Sequence, residues 1–393
     1  MRRFLNSVIL LAVGSGIASQ AVASMVASGE QAASSLIKRV VEGPQGAYFV
    51  YPHSNGFLAD GRLVLSQQDG KLTHFFLFDP ASGSVTPGGT LPNVRLYGGI
   101  SPGGLLVTTV NNCVVVMDLM RGEISSRLLY EAPRPWRMGM PGFSPDGNVY
   151  MDFHIYAPPA RNEMRLLRVD GDNSNGGEVV LKKDWLLNHV HRSEIDPGWI
   201  LFSHEGRGVT DRMWAWHASL APEGRPVFEQ KDAGGQVFYV GHELLMHHKL
   251  AALAVVFGSS PGKPRGLYEI DIAGAAAGHE STARLVSEGL RDWHCNISRD
   301  GRWAVVDTMG ASDEAGGPPA GWSKDGGVSD VVAVDIRTGA RRFLCRTSLL
   351  NSHPWHPHPH ISPDNRWVIC NDANSRRIFA LETDQDALDA FLR

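Results

Sequence analysis

One phrase recurs along this chain: an apolar residue, a small or polar one, a Pro/Asp/Gly turn, then a fresh apolar strand. It reads Phe57-Leu-Ala-Asp-Gly61-Arg-Leu-Val-Leu, Ile100-Ser-Pro-Gly-Gly104-Leu-Leu-Val, Phe143-Ser-Pro-Asp-Gly147, Ile195-Asp-Pro-Gly198-Trp-Ile-Leu-Phe, Ile297-Ser-Arg-Asp-Gly301-Arg-Trp-Ala-Val-Val and Ile361-Ser-Pro-Asp-Asn365-Arg-Trp-Val-Ile. A degenerate copy without the turn residues falls at Leu245-Met-His-His-Lys249-Leu-Ala-Ala-Leu. The seven anchors lie about 43 to 64 residues apart, near the period of four-stranded propeller blades with loop insertions. With 43 glycines, 23 prolines and 10 tryptophans, the 393 residues suit many short strands and turns. The expected fold is all-β, a seven-bladed β-propeller over residues 41–393; an eight-bladed ring or two β domains are the alternatives. Gly310 to Gly327, rich in Gly, Pro and Asp, reads as a long insertion in the sixth blade.

A formal net charge of -4, with no Lys/Arg run and no basic-aromatic stripe, argues against nucleic acid as a partner. At the N-terminus, Arg2 and Arg3, the apolar run Val8 to Ala18 and Ala21-Val-Ala23 fit a secretory signal cleaved after Ala23. The run is short for a membrane span, and no cysteine lies near the cleavage site to carry a lipid. A periplasmic or secreted protein without stable membrane insertion is expected, with residues 24–40 as a flexible lead-in. Cys113, Cys295, Cys345 and Cys370 show no C-x-x-C spacing, so no thiolate zinc site is indicated.

The histidines carry the chemistry. His353-Pro-Trp-His356-Pro-His358-Pro-His360 places four of 16 histidines in a short stretch that its prolines keep extended. His356, His358 and His360 then share one face. If the strand before each turn lines the central channel, counting three residues back from Leu245, Ile297 and Ile361 gives His242, His294 and His358. Three successive blades thus offer histidine at one equivalent position. A single such histidine is more often a partner for buried backbone groups. Several converging imidazoles suit a divalent ion, because each ring has a free lone pair and burying them charged is costly. His294, His353, His356 and His358 make a four-nitrogen set, and three ligands plus a substrate oxygen would also suffice.

A second concentration runs from Asn188-His189-Val-His191-Arg192 through His204-Glu205-Gly206 to Asp211-Arg212. Arg212 near aromatics suits a carboxylate, which its planar fork of donors matches. The plainer alternative pairs Asp211 with Arg212 at the surface. Trp214 and Trp216 are read as core.

Taken in order, these residues resemble the oligogalacturonate lyases, seven-bladed propeller enzymes that cleave uronic-acid oligosaccharides by β-elimination. The resemblance rests on Tyr48-Phe-Val-Tyr-Pro-His53-Ser-Asn-Gly-Phe57, His204-Glu-Gly with Asp211-Arg212, Gly241-His242-Glu243, Trp293-His294-Cys-Asn-Ile-Ser and His356-Pro-His358-Pro. It spans about residues 40 to 380 and is densest after 185. It implies that His294, His356 and His358 bind a divalent metal, manganese in the family, with a fourth ligand at His353, where the family has glutamine. That exchange of amide oxygen for imidazole nitrogen should favour zinc, nickel or cobalt. It further implies His242 as general base and Arg212 as the essential arginine. His53, His189, His191 and His204 are the expected substrate contacts, although His191 stands where the family has glutamine.

The chemistry agrees with these residue types. Elimination beside a uronate needs a proton taken from C5, and that carbon is acidic only once the carboxylate charge is neutralised. The product carries a 4,5-double bond. Many family members lack a signal peptide, so another uronate glycan, such as an ulvan-type polymer, is an alternative to pectic oligosaccharides. A non-catalytic exported propeller similar to the TolB-type scaffolds, binding a protein, is the competing class. A hydrolase would want carboxylates or a nucleophile at the channel, whereas the acidic residues here fall mostly in turns.

Overall fold

The computed structural model describes residues 34–393 apart from 102–103, 121–125, 134–135, 145–147, 155–163, 170–175, 207, 233, 258–263, 277–281, 290, 313–326 and 351. Its strands form seven antiparallel sheets arranged in a ring, a seven-bladed β-propeller. The expected signal segment, its cleavage site and most of the lead-in lie outside the described residues, as do turn residues 102–103 and 145–147.

The strand before each turn is the inner strand of its blade. Val94–Ile100, Gly142–Phe143, Leu186–Arg192, Val240–Leu245, Asp292–Ile297 and His360–Ile361 hold this place in blades two to seven, and each touches the next around the ring. In the first blade residues 47–57 follow an irregular path, joined to the sheet only by bridges from Tyr48 to Ser66 and from Phe57 to Leu63. That irregular path carries Tyr51 and His53.

The second strands are largely apolar because neighbouring blades cover both of their faces, with polar residues such as Asp307 and Asn371 towards their ends. Ala251–Val256, Trp303–Thr308 and Trp367–Asp372 are buried at every position. The core lies between blades; Trp303, Val305 and Val331 of the sixth pack with Val368, Cys370 and Leu381 of the seventh.

The recurring turn has a hydrogen-bond logic. Ser298 Oγ donates to Asp300 Oδ1 at 2.7 Å and accepts from the Trp303 amide at 3.1 Å. Ser362 repeats both bonds with Asp364 at 2.6 Å and Trp367 at 2.9 Å. The residue after the aspartate has positive φ, 71° at Gly301 and 61° at Asn365. Asparagine tolerates this left-handed region better than most residues, so the last copy keeps the turn without glycine.

The N-terminal boundary differs from expectation. Ile37–Glu42 is a strand, paired antiparallel with Arg377–Thr383 so that Val40 faces Leu381. The seventh blade has three C-terminal strands, and this segment covers the edge that would otherwise stay unpaired. The lead-in therefore ends before residue 37. After the last strand, the helix Gln385–Phe391 starts at Asp384, whose side chain accepts from the Ala387 amide, and buries Leu388.

The sixth-blade insertion joins Trp303–Thr308 to Val328–Asp335, with a bridge between Gly310 and Ser329 at its base; residues 313–326 lie outside the described set. All four cysteines are free thiols. Among the described residues no helix is long and apolar enough to cross a membrane.

Candidate metal centre and active site

Three inner strands break register where the site histidines stand. The pairing is interrupted between Asn188 and His191, between Val240 and Glu243, and between Asp292 and Cys295. Each break leaves two residues out of the ladder: His189-Val190, Gly241-His242 and Trp293-His294. Such bulges bend a strand and re-aim a side chain.

The equivalent positions of the last three blades do converge. The rings of His242 and His294 lie 3.9 Å apart, centroid to centroid, and those of His294 and His358 lie 4.4 Å apart. One ring nitrogen each from His294, His356 and His358 fall within 4.8 Å of one another, and all three residues are buried.

Asp307 organises this triad. It is buried on the second strand of the sixth blade, and His294 Nδ1 lies 2.9 Å from both of its carboxylate oxygens. The same carboxylate accepts the backbone N–H of His294 at 2.7 Å and of His358 at 3.1 Å. With Nδ1 held, His294 presents Nε2, which is buried without a hydrogen-bond partner, as is His358 Nε2. A carboxylate behind a ligating imidazole fixes its tautomer and direction. His358 also has φ of 47°, a strained conformation of the kind that concentrates at functional sites. Trp293 walls the triad on one side, 4.3 Å from the His294 ring and 4.2 Å from that of His356. The donor set therefore fits a divalent ion.

His353 stands at the solvent edge of the triad, its ring 4.4 Å from that of His356 and 5.3 Å from that of His358. It lies outside the tight three-nitrogen group. His360 turns away, with Nδ1 2.9 Å from the His358 carbonyl and Nε2 3.1 Å from the Tyr51 carbonyl. Burial pushes it down to about 4, so its ring is neutral near pH 7 and donates to only one of the two.

Tyr51 occupies the middle of the histidine array. Its ring lies 4.7 Å from His358, 4.9 Å from His53 and 5.4 Å from His189, and its hydroxyl is 2.6 Å from His242 Nδ1. Burial, then the neighbouring Glu243, raises the Tyr51 hydroxyl well above its ordinary range, so it stays protonated. Burial, then the nearby His294, lowers His242 well below 6.5, so its imidazole is neutral near pH 7.

Arg212 does not pair with Asp211. Its Nε donates to Glu243 Oε2 at 3.0 Å and its Nη2 to Glu205 Oε1 at 2.8 Å. A guanidinium so enclosed needs paired carboxylates, and Asp211 instead binds His204 Nδ1 at 2.9 Å. Burial alone would push Glu243 up, but Arg212 and the nearby His191 and His189 outweigh it and hold the carboxylate well below its usual range. Ser203 Oγ also donates to Glu243.

The expected substrate contacts divide. His53, His189 and His191 cluster beside Tyr51, with the His53 and His191 rings 4.3 Å apart. Burial pulls His189 down to about 4 and lowers His53 and His191 as well. His204 stands apart, stacked on Trp185 at 4.1 Å. Trp216 is core as expected, whereas Trp214 is only half-buried and donates its indole N–H to the Asp211 carbonyl at 2.6 Å.

Sequence reasoning missed Asp307, Tyr51 and Glu243 as site residues. Tyr51 had a signal, two residues before His53 on an extended stretch. Asp307 had only its place across the sheet from His294. A separate cavity of about 690 Å³ opens on the turn side of the channel, lined by His53, His191, Asn296, His360 and the recurring turns. The triad does not line it.

No protein-family model matches the sequence, and no curated protein matches it. Solved structures do. An oligogalacturonate lyase in complex with manganese superposes with a TM-score of 0.70 at 18% identity, covering 87% of this chain and 92% of that one. The oligogalacturonate lyase from Vibrio parahaemolyticus gives 0.71 at 18% identity over the same shares. A chain of the mitotic checkpoint complex gives 0.53 at 11% identity, covering 98% of this chain and 99% of that one. The chain thus has the propeller fold of the oligogalacturonate lyase structures over most of its length, as the ordered histidine motifs led one to expect.

Proposed function

We propose that this protein is a metal-dependent lyase that cleaves uronic-acid oligosaccharides by β-elimination, leaving 4,5-unsaturated products. The observation that carries the reading is the buried triad of His294, His356 and His358, backed by Asp307 and set against the neutral imidazole of His242. A divalent ion bound there would supply charge neutralisation for the uronate carboxylate and so acidify C5. Manganese accompanies one of the similar structures. The nitrogen-rich donors here, with His353 at the edge, suit zinc, nickel or cobalt.

His242 takes the C5 proton. For this its Nδ1–H donates to Tyr51 Oη, which leaves the lone pair on Nε2 facing the sugar. The C4–O bond then breaks, the double bond forms between C4 and C5, and the leaving oxygen takes up a proton. A positioned base of this kind contributes roughly 10²–10⁴-fold. Arg212 holds a uronate carboxylate with the donors that Glu205 and Glu243 leave available. His53, His189, His191 and His204 line the approach. Pectin-derived oligogalacturonides are the first substrate class to test, with ulvan-type glycans second. The N-terminal segment would send the enzyme to the periplasm or beyond.

The test is the ultraviolet absorbance of newly formed unsaturated uronates, measured on di- and trigalacturonate and a panel of uronate polymers with metal-loaded protein. Signal that disappears on chelation and in His242→Ala supports the reading. Absence of signal on every substrate overturns it and favours a protein-binding propeller.

A further inference from the structure

The second histidine cluster has the properties of a ligand set. One ring nitrogen each from His53, His189 and His191 fall within 4.8 Å of one another. His53 Nδ1, His189 Nδ1 and His191 Nε2 are buried without a hydrogen-bond partner. Glu243 Oε1 lies 3.9 Å from His189 Nδ1 and 3.9 Å from His191 Nε2, too far for a hydrogen bond but close enough to matter as a charge. Buried polar atoms are seldom left unmatched, and three such nitrogens within one histidine cluster call for a common partner. Proton transfer at His242 uses none of them.

We propose that His53, His189 and His191 form a second site for a divalent transition-metal ion of the zinc, cobalt or nickel class, with the Glu243 carboxylate beside it. Three imidazoles suit ions of this borderline class, and a three-histidine set leaves a coordination position open. Local charge is compatible. Glu205 and Glu243 share the single cation Arg212, and Arg192, the opposing charge, is held by the Phe143 carbonyl at 2.7 Å and the Val190 carbonyl at 3.2 Å. The backbone of His189 has φ of 50°, a cost that a ligating position explains. The inference stands apart from the lyase reading; if both hold, these imidazoles meet the substrate through an ion rather than directly.

Metal stoichiometry tests it. The full chain is stripped with a chelator, dialysed against buffered micromolar Zn²⁺ and measured by elemental analysis, with Co²⁺ absorption reporting the ligand field. Two equivalents are expected for the unaltered protein, one for His53→Gln, and one for His294→Gln/His358→Gln. His53 is half-buried on an irregular segment, so its replacement disturbs no ladder. No equivalent in the His294→Gln/His358→Gln protein overturns the proposal, whatever the unaltered protein binds. So do two equivalents kept in both His53→Gln and His191→Gln. One equivalent kept in the His294→Gln/His358→Gln protein and lost on adding His53→Gln supports it even if the triad holds no ion. Lyase activity is read separately by absorbance, so either idea can fail alone.

Discussion

The hydroxyl of Tyr51 lies 2.6 Å from Nδ1 of His242, across 191 residues of chain. In the elimination proposed above, this contact would decide which nitrogen of His242 acts as base. With Tyr51 as acceptor, Nε2 keeps its lone pair; with the bond reversed, Nε2 carries the proton and the base is lost. Tyr51→Phe should therefore lower kcat by about 10²-fold with little change in KM or metal content. Steady-state rates of unsaturated-product formation, beside elemental analysis, check this. An unchanged kcat would remove Tyr51 from the mechanism.

Asp307 binds the imidazole of His294 and the backbone of both His294 and His358. Asp307→Asn should weaken metal binding at the triad by about 10–100-fold, the usual cost of losing a carboxylate behind a ligating histidine. Competition against a chelator of known affinity measures it.

Glu243 is buried and neutralises Arg212. Glu243→Gln leaves that guanidinium with Glu205 alone, and breaking a buried pair in this way costs about 3–5 kcal/mol. Denaturant unfolding should show the loss as a lower midpoint at unchanged slope.

His189 and His360 both titrate near 4 in the folded chain because burial disfavours their charged forms, against an ordinary value of 6.5. Between these values the unfolded chain binds more protons than the folded one. Their contribution to stability is thus complete above about 6.5 and is lost as pH falls through about 4. Chelator-treated protein should melt on the order of 5 °C lower at pH 5 than at pH 7.5, and a bound ion should oppose the fall. Calorimetry on both forms tests this.

His353 is the solvent-edge neighbour of the triad, its ring 4.4 Å from that of His356. His353→Gln exchanges a nitrogen donor for an oxygen and should raise affinity for Mn²⁺ relative to Zn²⁺ by about 10-fold. Paired titrations of the two ions decide it; an unchanged ratio would remove His353 from the coordination.

The anchors from Phe57 to Ile361 were enough to count blades, because most copies keep an apolar residue, a short polar turn and a fresh apolar strand within a few positions. They also gave the register that brings His242, His294 and His358 together. Local chemistry of that kind is written in consecutive residues. The closing strand was not legible: Ile37–Glu42 matters only because the last blade has an unpaired edge, a property of the whole ring. Arg212 shows the same limit. Beside Asp211 in sequence, it pairs with Glu205 and Glu243, because alternation along the chain sends Asp211 and Arg212 to different neighbours.

An all-β ring of seven blades and a histidine-rich channel can be read from residue order. Tertiary structure alone decided that Asp307 stands behind His294, that Tyr51 holds His242, and that the histidines divide into two groups of three. The reason is physical. Blade strands are laid down by short-range pattern, whereas tautomer, ligand direction and charge pairing depend on atoms that only ring closure and the three strand bulges bring within bonding distance.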